Sequence, residues 1–98
     1  MTTSVCTIAT EHGSRYLQQL CKHFAHKIPA TFDTSTGRIE FPIGEVELAA
    51  DANGLTIRAT PKDAAETEAL RDVVARHLVR FAFRETLAFD WRSAPAAG

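Results

Sequence analysis

Four histidines, at positions 12, 23, 26 and 77, are the side chains in this 98-residue chain best suited to metal or proton chemistry. In the run Cys21-Lys22-His23-Phe24-Ala25-His26, His23 and His26 stand three residues apart, which makes them neighbours on one face of a helix. Two neutral imidazoles at that spacing can share a metal ion or reach a haem, so this pair is the candidate metal site. Zinc normally needs three or four ligands. His12 lies in the same sector but two or more turns away, and Cys21 points to the apolar side. A solvated polar face is the plainer explanation of the pair.

His77 falls on the stripe of a second helix that should be purely apolar. A buried imidazole must have a hydrogen-bond partner and stay neutral, because burying its charged form is costly. A backbone carbonyl or Tyr16 would satisfy it. Arg84 follows two turns later on the same side, where a guanidinium at the rim of an apolar groove could fork onto a carboxylate or phosphate. A local ion pair with Glu85 is the simpler use of Arg84. The first helix carries Arg15, Lys22 and Lys27 with no carboxylate after Glu11. On a chain of net charge -1 the acid is therefore concentrated elsewhere, chiefly on strands, a segregation that suits an anionic partner. No nucleophile elbow, phosphate loop, dinucleotide fingerprint or C-x-x-C occurs, so no catalytic residue and no cofactor is assigned.

The elements that must position these residues follow from periodicity. Residues 3–9 alternate and are rich in β-branched types, which predicts a strand. Leu17, Leu20, Cys21, Phe24 and Ile28 then recur three or four apart, a helix that Pro29 stops. From residue 30 the period is two. Residues 30–32, 38–41, 45–50 and 55–60 read as strands of a meander, with Asn53-Gly54 the signal for a type I′ hairpin. Ile39, Phe41, Val46, Leu48, Leu55 and Ile57 share the apolar face; Arg38, Glu40, Glu45, Glu47 and Arg58 share the wet one. Asp63-Ala64-Ala65-Glu66 has the spacing of a capping box, and the helix it opens is free of Gly and Pro to about Glu85, roughly 34 Å.

Together these predict an α+β domain over residues 1–92, in the order β-α-β-β-β-β-α. An antiparallel sheet of four to five strands carries both helices on one face, with a groove at one end of the long C-terminal helix and a frayed tail at 93–98. Apolar residues are 45% of the chain and charged residues 23%, values of a globular protein. Neither the charge nor any apolar run points to nucleic acid or a membrane span. The start MTTSVCTIAT lacks the features of a signal peptide, and Cys6 and Cys21, both among apolar neighbours, read as reduced buried thiols, so a cytoplasmic location is expected.

The blocks RYLQQLCKHFAHKIPATFD, GRIEFPIGEVELAA and VVARHLVRFAFRETLAFDW resemble a bacterial family, domain of unknown function 2218, over about residues 15–91. His23, His26, His77, Arg80, Arg84 and Glu85 fall in the two blocks that carry the resemblance best, CKHFAHK and HLVRFAFRE. Domains related to that family occur beside or fused to siderophore-interacting flavoproteins, so the resemblance implies an accessory role in siderophore iron handling. Three readings follow. The first is a non-catalytic binding or interaction module, with His77, Arg80 and Arg84 as ligand-binding residues. Its partner would be an anionic small ligand, such as a ferric siderophore, or a flavoprotein. The second is a metal or haem protein using His23 and His26. The third is a small enzyme with a groove at the C-terminal helix.

Overall fold

The period-two patterning resolves into an all-antiparallel meander in the computed structural model, which describes residues 2–95. The elements are β1 (Thr2–Ala9), α1 (Gly13–Ala25), β2 (Ala30–Phe32), β3 (Thr36–Phe41), β4 (Gly44–Ala50), β5 (Gly54–Pro61), a 3₁₀ turn (Ala64–Glu66), α2 (Thr67–Phe81) and β6 (Arg92–Pro95). The strands form one sheet in the order β2-β3-β4-β5-β1-β6. Its apolar face, Cys6, Ile8, Ile39, Phe41, Val46, Leu48, Leu55 and Ile57, packs against Leu17, Leu20 and Cys21 of α1 and Leu70, Val74 and Leu78 of α2. On the wet face Glu40 stands directly opposite Glu45 in register, and Arg38 neutralises both, at 3.9 Å and 2.8 Å.

Five expectations change, the last at the β4–β5 turn. The sheet has six strands, not four or five, because part of the predicted frayed tail is β6; residues 96–98 lie outside the described residues. Arg-Ser-Ala-Pro shows no alternation of its own, and it is a strand only because β1 offers it an edge, Thr2 opposite Pro95 and Val5 opposite Arg92. Helix α2 ends at Phe81, so it is about 22 Å long instead of 34. Asp63 caps as expected, accepting from the Ala65 amide, but it caps the 3₁₀ turn ahead of α2. The buried row of α2 is Leu70, Val74, Leu78 and Ala82, four apart, which leaves His77 and Phe81 at its rim and Ala88 exposed.

The β4–β5 connection forms where Asn53-Gly54 predicts a hairpin, but not with type I′ geometry. No described non-glycine residue has a positive φ, and among the glycines Gly44 alone does. Asp51 instead closes the turn, its Oδ1 accepting from the amides of Asn53 (2.8 Å) and Gly54 (3.0 Å). Gly54 is needed for close approach. A Cβ there would lie 2.2 Å from the Ile8 carbonyl oxygen on β1. Gly54→Ala should therefore cost about 1–3 kcal/mol or more in urea unfolding, the range for overpacking, because the obstructing atom is backbone and cannot rotate away.

Candidate functional site

Strand β1 ends at Ala9, and the next residue begins a polar network. Thr10 accepts the His12 amide (3.1 Å) on its hydroxyl and donates that hydroxyl to Glu85 Oε2 (3.1 Å). Tyr16, one turn into α1 and 4% exposed, donates its own hydroxyl to the same Oε2. One carboxylate oxygen thus gathers the end of β1, the first turn of α1 and the segment after α2. Burial, reinforced by the Glu85 bond and charge, pushes the Tyr16 hydroxyl above its ordinary pKa, so it keeps its proton.

A groove of about 600 Å³ opens over this network at the C-terminal end of α2. Arg15, His12 and Glu11 form one wall; Phe81, Phe83 and Arg84 form the other. The described ion pairs join Arg38 to Glu40 and Glu45, Arg76 to Asp72, and Arg92 to Asp90. Neither Arg15 nor Arg84 belongs to one. Arg84 lies over the Phe83 ring at 5.4 Å, and that ring is 78% exposed. The groove therefore offers two guanidiniums outside any described ion pair and an accessible aromatic face, beside Glu11 on the wall and the hydroxyl-bonded Glu85.

The sequence-predicted residues divide between two locations. Arg84 lines the groove, but as part of the turn after α2 rather than on the helix, and Glu85 turns inward to Thr10 and Tyr16 instead of pairing with it. His77 stands elsewhere, at the seam between the helices. It is half-buried and its Nδ1 donates to the Val73 carbonyl (2.6 Å), the backbone partner expected, while Tyr16 is engaged by Glu85. His23 comes across from α1 to meet it, ring centroids 5.2 Å apart, between Phe24 and Phe81. The structure thus pairs His23 with His77, with His26 and Arg80 exposed beside them. Loss of solvent first, then the positive charges of His77, Arg80, Lys27 and His26, hold His23 below its ordinary pKa. Among the described residues no group of three or more His, Cys, Asp or Glu side chains converges to hold a metal ion.

Sequence reasoning missed Thr10, Tyr16 and the inward role of Glu85. Glu85 lies 75 residues from Thr10 and 69 from Tyr16, and no spacing rule joins it to them. The one available signal was Tyr16, a phenol on the border of the apolar stripe of α1, where its hydroxyl needs a partner.

The chain matches the family model described as an uncharacterized protein conserved in bacteria (DUF2218) over residues 5–92, nearly its whole length. It belongs to this family. A solved relative, the NMR structure of PA4090 from Pseudomonas aeruginosa, is 31% identical, covers 98% of this chain and 100% of its own, and superposes with a TM-score of 0.80. No curated protein matches. The DUF2218 fold therefore recurs with its six-strand, two-helix plan, and no helix among the described residues is long and apolar enough to cross a membrane.

Both cysteines of this DUF2218 chain are free and buried, and burial pushes the Cys21 thiol up to about 11. Neither should react with a thiol reagent at pH 8 in the native state; labelling should follow global unfolding, as a stopped assay with and without urea would show. The His23–His77 seam carries a pH dependence. The folded pKa of His23 lies below its unfolded value, so the unfolded chain takes up the proton first as pH falls. Stability should be full above about pH 6.5 and decline below it. Thermal unfolding from pH 7.5 to 5 should show this loss, and His23→Gln should remove part of it.

Proposed function

We propose that this protein is a non-catalytic binding module whose groove at the end of α2 takes an anionic ligand bearing an apolar or aromatic part. The observation that carries the reading is that Arg15 and Arg84 line one groove without an ion-pair partner among the described residues. Guanidiniums free of ion pairs and facing each other across a cleft can each bind a carboxylate or phosphate through a fork of two N–H groups, with Glu11 and Glu85 in the same lining limiting how much negative charge the ligand carries. The exposed Phe83 ring adds a face for an apolar or planar group. The hydroxyl-bonded Glu85 supplies an acceptor at the floor for a ligand hydroxyl or amine.

Ferric siderophores are the anionic ligand class that the family resemblance implies, and this reading accommodates them without requiring them. The metal reading of His23 and His26 has weaker support, because Arg80 and Lys27 add positive charge where a cation would sit. Of the ligand-binding residues expected from the sequence, Arg84 lines this groove, and His77 and Arg80 are not in its lining.

Titration calorimetry with 2,3-dihydroxybenzoate, inorganic phosphate and a ferric catecholate siderophore, followed by ¹⁵N shift mapping, tests the proposal. At least one probe should perturb the amides of Thr10, Arg15, Phe83 and Arg84. Arg84→Ala should then weaken binding about tenfold or more, the loss of one charge-assisted contact, while Arg84→Lys recovers part of it. If no probe perturbs those amides, the groove is not an anion site.

A further inference from the structure

Strand β2 ends the sheet, pairing with β3 and with no other described strand. The direction of its ladder can be read. The Glu40 amide donates to the Pro29 carbonyl and the Asp33 amide to the Thr36 carbonyl, so the hydrogen-bonded pairs are 29 with 40, 31 with 38, and 33 with 36. Ala30 and Phe32 are the alternate residues, and their N–H and C=O groups point outward to the open edge.

Beside that edge α1 lies close to the sheet. A Cβ on Gly37, opposite Phe32 in register, would lie 2.6 Å from Cys21 Sγ. Phe32 points to the same face but at the rim, where it stays 40% exposed. Together with Arg15, Gln18, Gln19 and Lys22 of α1 it lines a groove of about 510 Å³. From residue 15 to residue 22 a helix rises about 10 Å and from residue 30 to residue 32 a strand rises about 7 Å, so the wall runs the whole length of the edge. From residue 12 to residue 32 the chain has no acidic side chain. Asp33, next along, is held by the amides of Ser35 and Thr36, each at 2.8 Å.

We propose that the β2 edge and the facing side of α1 dock an extended acidic peptide segment of a partner protein by strand addition. Its main chain pairs with the outward groups of Ala30 and Phe32, an apolar side chain covers Phe32, and flanking carboxylates meet Lys22 and Arg15. A second copy of this chain is the poorer occupant, because pairing two β2 edges would bring each cationic wall against the other. This surface shares Arg15 with the groove at Arg84, but Lys22, Phe32 and the β2 edge belong to it alone and test it independently.

Selection of a phage-displayed random heptapeptide library on the full chain, followed by synthesis of the enriched peptides, provides the test. Peptides with two or more Asp or Glu around an apolar residue should enrich, and should shift the amides of residues 30–32 and 15–22. Lys22→Glu should weaken them tenfold or more, as should methylating the alternate backbone nitrogens that face β2, while methylating the others leaves affinity within twofold. Arg84→Ala should leave affinity unchanged, which separates this surface from the anion groove. No enrichment, enrichment of uncharged sequences, shifts confined to Thr10, Phe83, Arg84 and Glu85, or a β2-mediated dimer would each overturn the proposal.

Discussion

The arrangement of the C-terminal third depends on one carboxylate. Glu85 Oε2 receives the hydroxyls of Thr10 and Tyr16, which belong to the end of β1 and the start of α1. Glu85 lies in the turn just past the end of α2 at Phe81, its amide donating to the Ala82 carbonyl (3.1 Å). The chain turns, Phe83 and Arg84 are pushed to the surface, and the following residues run back along β1. Leu87, Phe89 and Trp91 pack on the core during that return, and β6 completes it by pairing with β1. Arg71 fastens the far end, donating to Ser4 (2.8 Å) while its guanidinium lies over Trp91 at 5.8 Å. A pattern free of Gly and Pro thus gives way to a turn in which Glu85 makes tertiary hydrogen bonds, and the modest preference of each residue for helix does not prevent it.

Charge is distributed by layer. The wet face of the sheet holds Glu40, Glu45 and Glu47 with Arg38 and Arg58 among them, and Arg38 settles the one like-charge pair in register. The helical layer has the reverse imbalance. Arg15, Lys22, Lys27, Arg80 and Arg84 occupy it, and its described ion pair joins Arg76 to Asp72. Loss of solvent, and after it the neighbouring cations, holds His23 below its ordinary pKa. A near-neutral chain therefore presents an α1 without acidic residues, and α1 contributes to both grooves. Membership of DUF2218 and the likeness to PA4090 describe the scaffold; the case for anionic partners comes from this charge pattern.

Periodicity and turn chemistry in the sequence determined the class of fold, the strand–helix–meander–helix order, the apolar face of the sheet, the α1 stripe and the Asp63 cap. These are local matters: side-chain spacing of two or near 3.6, a proline stop, and a carboxylate reaching an amide two residues on. Tertiary structure decided what depended on a distant partner. It made a strand of a tail with no pattern, closed the 50–54 turn through Asp51 because β1 crowds Gly54, and shifted the α2 row by one residue so that His77 met His23. It also assembled the candidate site from Thr10, Tyr16 and Glu85, up to 75 residues apart. Arg84 was legible as an unusual residue at the end of the long helix. What made it part of a groove was the carboxylate beside it, which the sequence pairs with its neighbour and the fold draws into the interior.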